Sequence, residues 1–341
     1  MLLIVFGAGA SYDSVPHLQP NKSVPEEDRP PLANQLFDNR PNFVEAMERF
    51  GDCMDLVPLL RNSTLPIEKV LARLREQADT YPRRFQQLAA IQYYLRYMLF
   101  NCQSNWKQKR HRGITNYRTF VDEIERWRSR TNERVCFVTF NYDTMLEEAM
   151  QQTIDFKIDE LRSYVNRSDY TLIKLHGSVN WGREIDNLGV ASVNGAADMI
   201  KNVTLLTISD RFRVVNTQHL LREGNVYVFP ALTIPVETKD EFACPKDHVA
   251  TLEDCLDKVT KIITIGWRAM EREFLFLMQK KIVLRPNILV VSGDLNGAQE
   301  SLLNLSSYVS LHTIAPPVMI TDGFSGLIRG SMERLEVFLS E

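Results

Sequence analysis

The sequence lacks any pair of cysteines at the spacing that holds a structural metal. Its five cysteines are scattered along the chain: Cys53, Cys102, Cys136, Cys244 and Cys255. A zinc ribbon and a disulfide framework both need paired thiols, so an odd number of dispersed cysteines argues against either. The sequence therefore predicts reduced thiols, no bound metal and a cytoplasmic location.

Long apolar runs and an excess of one charge are also missing. The first apolar run, Met1 to Phe6, has no basic segment before it and is too short for a signal peptide or a membrane span. The formal net charge is −3 at pH 7 and the isoelectric point is about 6.1, which does not favour nucleic-acid binding through bulk charge. We expect a globular protein of one large domain or two ordinary ones, without membrane or direct nucleic-acid contact.

The most informative stretch is the start of the chain. Leu2 to Phe6 is uniformly apolar and is followed at once by Gly7-Ala-Gly-Ala-Ser11. Such a run is typical of a buried strand in a parallel sheet, and a Gly-x-Gly turn after it lets the backbone approach a phosphate. The third glycine of the dinucleotide fingerprint is missing. A tight turn without a ligand therefore fits these residues equally well.

Polar side chains follow two later predicted strands. Asn141 and Asp143 come after the apolar run at 135–140, and His176 comes after the run at 170–175. Ligands of open α/β sheets bind outside the carboxyl ends of the strands, which favours a functional role for these three residues. The alternatives are helix capping for Asn141 and Asp143, and a structural role for His176.

The second half of the chain repeats this arrangement. Gly266 and Trp267 follow a predicted strand at 261–265, so the backbone there can also approach a ligand. Asp294 follows the next predicted strand and is expected either to bind a ribose or adenine or to cap a helix. A last strand is predicted at Val309 to Ile314, before a helix at 323–339.

A helical region separates the first two predicted strands. Ile67, Val70, Leu71 and Leu74 have the spacing of one helix face, and the aromatic-rich segment 93–100 predicts a buried helix. We therefore predict a doubly wound, Rossmann-like parallel sheet from residues 1–41 and 131–341, with a helical insertion at 42–130. The proline-rich segment 12–41 is expected to be either a lid or a plain surface loop. The basic cluster 107–112 is expected to be a solvated loop or a contact for a partner or anion.

Three motifs occur in the order found in sirtuins: Gly7-Ala-Gly-Ala-Ser11, Thr139-Phe-Asn-Tyr-Asp143 and Lys174-Leu-His-Gly-Ser178. In these motifs the chain resembles the sirtuin family, and most closely the sirtuin-like domains of bacterial antiviral proteins that destroy NAD. The stretch Phe229 to Pro235 with Lys239, Phe242 and Pro245, and Ile265-Gly-Trp-Arg268 with Glu271, also resemble that group. The resemblance implies a sirtuin-like fold.

The resemblance also implies a role for each motif. NAD phosphates would lie against Gly7, Ala8, Gly9, Ala10 and Ser11. Asn141 would orient a ribose hydroxyl or a water, Asp143 would support that ribose or Asn141, and His176 would be the base. Gly266 and Trp267 would lie along the cofactor, with Asp294 near its adenosine end.

The chain departs from sirtuin deacylases at two places. It has neither of their Cys-x-x-Cys pairs, and their Asp-Phe-Arg run is replaced by Ser14-Val-Pro and Arg29-Pro-Pro-Leu. These departures weaken the case for peptide deacylation. Cleavage of the nicotinamide–ribose bond passes through an oxocarbenium-like state and needs a positioned ribose, a water and a base, but no metal.

We therefore expect an NAD glycohydrolase that releases ADP-ribose and nicotinamide and depletes NAD in bacterial anti-phage defence by abortive infection. Two alternatives stay open: a silent module that senses NAD or ADP-ribose, and an enzyme for ADP-ribosyl transfer or deacylation. The antiviral resemblance also implies a homo-oligomer, or a partner subunit that controls activity.

Overall fold

The computed structural model describes residues 1–14, 27–63, 65, 67–109, 115–215, 221–233, 242–310 and 316–340. Residues 15–26 of the proline-rich segment, residues 110–112 of the basic cluster and Lys239 lie outside these residues. Within them the strands are β1 (Leu2–Phe6), β2 (Val135–Thr139), β3 (Tyr170–Lys174), β4 (Gly177–Asn187), β5 (Thr207–Val214), β6 (Arg222–Glu223), β7 (Val226–Leu232), β8 (Lys261–Ile265), β9 (Asn287–Val291) and β10 (Val318–Ile320).

Six of these strands form a parallel sheet in the order β10-β9-β8-β1-β2-β3. Numbered along the chain within this sheet, the order is 3-2-1-4-5-6, that of doubly wound nucleotide-binding folds. The prediction of a doubly wound, Rossmann-like sheet with Leu2–Phe6 as a central strand is confirmed. Strand order reverses between β1 and β8, and this switch point is where such folds bind ligands.

Helices connect and cover the strands. No helix in the described ranges is long and apolar enough to cross a membrane. The helices are α1 (Ala8–Tyr12), α2 (Pro41–Arg49), α3 (Val57–Asn62), α4 (Ile67–Glu76), α5 (Arg83–Lys109), α6 (Asn116–Thr131), α7 (Met145–Ile154), α8 (Ala196–Lys201), α9 (Lys246–Leu256), α10 (Arg272–Lys281), α11 (Leu295–Ser306), α12 (Gly323–Gly330) and α13 (Met332–Ser340). Helix α6 packs against both α7 and α12 beside the sheet, and the indole N–H of Trp127 in α6 donates to the Leu339 carbonyl of α13.

A second sheet, which the sequence did not predict, has the antiparallel order β5-β4-β7-β6. The pairing of β4 with β5 shifts register on both sides of Ile185. Each shift breaks the alternation of apolar and polar residues by which a strand is recognised. This explains why the segment carries no clear period.

The apolar side chains form two cores. One surrounds the parallel sheet and includes α6, through side chains such as Phe120 and Ile124. The other joins α2–α5 to the second sheet, and Tyr93 and Tyr94 are fully buried in it, as the aromatic pattern predicts. Although α6 falls within the predicted insertion at 42–130, it packs with the parallel sheet. The domain boundaries themselves stay a prediction.

One prediction at the end of the chain is wrong, and another falls mostly on residues that the structure does not describe. Of the strand predicted at Val309 to Ile314, residues 311–314 lie outside the described residues, and the Val309 N–H bonds to the Leu305 carbonyl at the end of α11. A short strand that was not predicted, Val318–Ile320, follows. The helix predicted at 323–339 is two helices, α12 and α13, which meet at Ser331.

Candidate active site

Two glycine turns meet at the switch point between β1 and β8. The Gly7 N–H donates to the Ile265 carbonyl at 3.0 Å, and the Gly9 N–H donates to the Gly266 carbonyl at 3.1 Å. A Cβ on Gly7 would lie 2.5 Å from the Gly266 oxygen, and a Cβ on Gly266 would lie 2.4 Å from the Ala10 nitrogen. Gly266 also has φ +60°, which side chains other than glycine rarely adopt. Contact between the two turns therefore requires glycine at these positions.

This contact limits how the first turn can hold a phosphate. The N–H groups of Gly7, Gly9 and Ala10 all donate to carbonyl groups of the protein. Within the part of the chain that the structure describes, the Ala8 N–H has no backbone acceptor. Ala8 is therefore a backbone donor of this turn that remains available to an anion. Phosphate binding by Gly7–Ser11 stays a prediction.

Asn141 is anchored on this turn by a buried hydrogen-bond network. Its side chain is 7% exposed, and Nδ2 lies 2.9 Å from the Gly7 carbonyl, 3.0 Å from Ser11 Oγ and 3.0 Å from Tyr117 OH. A carbonyl oxygen only accepts hydrogen bonds, so the atom beside it must be the amide nitrogen. The amide nitrogen therefore points into the protein.

The opposite end of the Asn141 amide remains available. Oδ1 accepts no hydrogen bond from the described residues, and it is not among the polar atoms sealed from solvent. Asn141 consequently offers an acceptor, and not a donor, to a ligand at the carboxyl edge of the sheet. A ribose hydroxyl or a water has the O–H donor that this oxygen can bind.

Asp143 joins the same network and also begins the next helix. Its Oδ2 accepts from Ser11 Oγ at 2.6 Å, and its Oδ1 accepts from the Met145 N–H at 3.0 Å, in the first turn of α7. The capping role expected as one alternative is thus present. Both oxygens have partners inside the protein, so Asp143 is arranged to support Asn141 through Ser11. A direct contact with ribose stays a prediction.

A buried ion pair lies next to the Asp143 backbone. Lys174, at the end of β3, is fully buried, and its Nζ donates to the Asp143 carbonyl and pairs with Glu147 Oε1 at 2.8 Å. Burial raises the pKa of Glu147, while Lys174 opposes that shift. Tyr164 OH lies 3.4 Å from the same oxygen. This pair ties the carboxyl ends of β2 and β3 together.

His176 lies beside the side chains that flank Asn141. Its ring is 4.9 Å from the ring of Phe140 and 6.1 Å from that of Tyr142, between centroids. Burial lowers the pKa of His176 to about 4, so the imidazole is neutral at pH 7. Its ring nitrogens have no hydrogen-bond partner among the described residues, which leaves them available to a ligand. No described contact joins His176 to Asn141, and their convergence on one ribose stays a prediction.

Trp267 connects the second glycine turn to this group. Its ring stacks on Phe140 at 5.6 Å with an interplanar angle of 12°, and its indole N–H donates to Glu271. The carbonyl of Trp267 accepts from Ser301 Oγ at 2.8 Å. Trp267 is 4% exposed, so its ring supports the Phe140 ring from inside the protein and offers little surface to a ligand.

Asp294 lies at the end of β9 and is exposed. Its Oδ1 accepts from the Gly297 N–H at 2.8 Å and caps α11. The capping alternative is therefore observed. Contact with the adenosine end of a cofactor stays a prediction.

Two buried residues near the glycine turn were not predicted from the sequence. Tyr117, in the first turn of α6, contacts Ser11 and Asn141 through its hydroxyl. The guanidinium of Arg29 lies 4.6 Å from the ring centroid of Tyr12, the last residue of α1. Tyr117 lies far from the three motifs in the sequence, and no local spacing relates it to them.

A metal centre was not expected. Within the described ranges, no three His, Cys, Asp or Glu side chains are grouped so that they could hold a metal ion. Its absence from the protein remains a prediction.

Solved structures similar to this chain are Sir2 homologues. A triple mutant bound to 2′-O-acetyl ADP-ribose is 13% identical, with 100% of this chain and 93% of that chain covered and a TM-score of 0.48. A Sir2 homologue–NAD complex is 13% identical over 98% and 90%, with a TM-score of 0.42. A mutant Sir2 homologue bound to ADP-ribose is 14% identical over 98% and 93%, with a TM-score of 0.42.

No protein-family model matches the sequence, and no curated protein matches it.

Proposed function

We propose that this protein is an NAD glycohydrolase, which hydrolyses the nicotinamide–ribose bond to give nicotinamide and ADP-ribose. One observation carries the proposal: the anchored Asn141 amide and the neutral His176 follow adjacent strands, beside the glycine turns at the switch point. Ligands of doubly wound sheets bind at this place. The sirtuin-like motifs that contain these residues make NAD the candidate ligand.

In the proposed reaction, the C–N bond to nicotinamide breaks and its electrons leave with the neutral base. A water then adds to the ribose carbon, which has oxocarbenium character. Asn141 Oδ1 accepts a hydrogen bond from that water or from a ribose hydroxyl and fixes its position. A ring nitrogen of His176 takes the proton that the water loses.

We assign the rest of the cofactor to the two glycine turns. The Ala8 N–H is a candidate donor to the diphosphate. The backbone of Gly266 and Trp267 would run along the cofactor, because the buried Trp267 ring offers little surface to a ligand. Asp294 is exposed at the end of β9 and would lie near the adenosine. Ser11 is fully engaged with Asp143, Asn141 and Tyr117, so its contribution would be to hold the site together.

A binding module that senses NAD or ADP-ribose without cleaving it is the second candidate. The lowered pKa of His176 favours it, because an imidazole with a pKa of about 4 is a weak base at neutral pH. Transfer of ADP-ribose to a protein, or deacylation, is the third. Loss of both Cys-x-x-Cys pairs weakens deacylation.

The biological part of the proposal depends on the resemblance to antiviral proteins. We propose that NAD depletion in the cytoplasm serves anti-phage defence, and that self-association or a partner subunit controls it. The helical region α2–α5 is the candidate contact surface. Light scattering and pull-downs test this part; a monomer at all concentrations with no recovered partner would contradict it.

Product analysis tests the activity directly. Purified protein is incubated with NAD, alone and with the products of neighbouring genes, and the products are separated by chromatography. Free nicotinamide with ADP-ribose supports the proposal, and modified protein supports transfer or deacylation. Unchanged NAD that still binds the protein would overturn it in favour of the sensor. Asn141→Ala and His176→Ala are the matched variants.

A further inference from the structure

Tyr117 is a buried residue of the site that no motif contains. It is 1% exposed, and its ring packs against Phe6 at 5.2 Å and against Phe324 at 5.4 Å, between centroids. These rings hold the hydroxyl in place at the carboxyl end of β1. Burial first, and then the charge of Asp143, raise the pKa of Tyr117 well above its ordinary value, so the phenol stays protonated.

Hydrogen counting gives the network a direction. Ser11 has one hydroxyl hydrogen, and the 2.6 Å contact with Asp143 uses it because a carboxylate only accepts. The 2.9 Å contact between Ser11 and Tyr117 must then be donated by Tyr117. The donors therefore run from Tyr117 to Ser11 and from Ser11 to Asp143. With its own hydrogen used, Tyr117 OH has a lone pair for the Asn141 amide at 3.0 Å.

The two amide hydrogens of Asn141 have acceptors inside the protein. Its nitrogen carries two hydrogens, and the Gly7 carbonyl takes one of them. The second has two acceptors at 3.0 Å, Ser11 Oγ and Tyr117 OH. Ser11 Oγ already accepts from Tyr117, so the Tyr117 oxygen is the less occupied of the two. Both ends of the Asn141 NH₂ group are thereby held inside the protein.

We propose that Tyr117 is a positioning residue that fixes the Asn141 amide with its nitrogen inward and its oxygen toward the substrate; this inference rests on the proposed function. Loss of the hydroxyl leaves one amide hydrogen with a single acceptor, Ser11 Oγ, in place of two. The amide then rotates more freely, and Oδ1 aligns the water or ribose hydroxyl less often. Misplacement of a positioning group by about 1 Å can cost on the order of a hundredfold in rate.

The test variant is Tyr117→Phe, which removes the hydroxyl and keeps the ring. We expect kcat for NAD hydrolysis to fall by about tenfold or more while KM changes by less than about threefold, because positioning acts on the transition state. Tyr170→Phe is the matched control. Tyr170 is also a buried tyrosine, and its hydroxyl donates to Glu125, but it begins β3 at the opposite edge of the sheet. Tyr170→Phe should lose a comparable part of the free energy of unfolding and keep the wild-type kcat.

A second readout does not depend on turnover. Selective ¹⁵N-asparagine labelling resolves the side-chain amide signals, and Asn141→Ala identifies the pair that belongs to Asn141. We expect slow hydrogen exchange for this pair in the wild type. Exchange should become about tenfold faster in Tyr117→Phe, because one of its hydrogen bonds is lost, and it should stay slow in Tyr170→Phe.

The outcomes separate the two proposals. If the wild type hydrolyses NAD and Tyr117→Phe has an unchanged kcat, the positioning role is overturned and the proposed function stands. If the wild type hydrolyses no NAD under any condition, the proposed function fails, and the hydrogen-exchange measurement alone tests whether Tyr117 fixes the Asn141 amide. Unchanged exchange in Tyr117→Phe would then overturn the inference, and faster exchange would support a fixed amide.

Discussion

The Asn141 amide nitrogen lies 2.9 Å from the Gly7 carbonyl oxygen, so the side chain that follows β2 is fastened to the turn that follows β1. This contact determines which end of the amide faces a ligand. It also makes Asn141 part of the buried structure, since its nitrogen donates to the Gly7 carbonyl and has Ser11 Oγ and Tyr117 OH as acceptors for its second hydrogen.

Substitutions of Asn141 should therefore affect both turnover and stability. Asn141→Ala removes the Oδ1 acceptor and should reduce NAD turnover on the order of a hundredfold, as expected for loss of a positioning group. It should also lower the free energy of unfolding by about 1–3 kcal/mol, because buried acceptors lose their donor. Single-turnover assays and urea unfolding measure the two effects.

Asn141→Asp is the sharper variant. It keeps the shape of the side chain but places a carboxylate oxygen next to the Gly7 carbonyl oxygen. Because neither oxygen can donate a hydrogen bond, Asn141→Asp should be less stable than Asn141→Ala. Equal stability of the two would contradict the assigned amide orientation. Binding of NAD by Asn141→Ala, measured by calorimetry, should remain, because the diphosphate is assigned to the glycine turns.

The pH dependence of activity should report the lowered pKa of His176. A neutral imidazole acts as the base, so kcat/KM should stay level from neutral pH downward and fall with a midpoint near pH 4, not 6.5. In the unfolded state the His176 imidazole binds a proton at a higher pH than it does in the folded state. Stability is therefore complete above pH 6.5 and falls as pH drops toward 4.

Proton NMR of the His176 ring checks this assignment directly. His248 is a useful comparison, since its pKa is also lowered by burial but its Nε2 contacts the Leu161 carbonyl at 2.9 Å, away from the site. His176→Ala should remove the acid limb along with most of the turnover. An acid limb centred near 6.5 would show that the imidazole is solvated in the working enzyme.

Gly266 should not tolerate a side chain. Gly266→Ala combines a positive φ with a Cβ only 2.4 Å from the Ala10 nitrogen, so the two turns must separate. We expect a loss of about 1–3 kcal/mol from the backbone conformation alone, and more from the displaced contact. Chemical denaturation measures it.

Gly330→Ala is the matched control for that substitution. Gly330 ends α12, and a Cβ there meets no atom within 4 Å. The free energy of unfolding of Gly330→Ala should equal that of the wild type or be slightly higher. A stable, active Gly266→Ala would show that the two turns do not pack as described.

The ion pair of Lys174 with Glu147 should be costly to break on one side. Lys174→Met leaves Glu147 buried without its partner and should cost about 3–5 kcal/mol. Adding Glu147→Gln should recover a large part of that loss. Removal of the exposed pair between Arg83 and Asp55 should change stability by less than about 1 kcal/mol. A small effect of Lys174→Met in thermal unfolding would contradict its role in joining β2 to β3.

Several features of this protein can be read directly from its sequence. Uniformly apolar runs such as Leu2–Phe6, bounded by glycine, are typical of strands buried on both faces, and their alternation with helices predicts a parallel sheet. Because parallel strands share one carboxyl edge, Asn141 and His176 were expected near each other and near Gly7. The sheet order confirms that edge, while the roles of these residues remain predictions.

Tertiary structure alone decided which groups those residues contact. Nothing local in the sequence relates Gly9 to Gly266, yet their backbones touch, and that contact explains both glycines. The direction of the Asn141 amide follows from acceptors in the turn after β1, in α1 and in α6, among them Tyr117, which no motif includes. Local sequence limits the backbone conformation of a segment, but a side chain's hydrogen-bond partners come from distant segments, and only the folded chain brings those together.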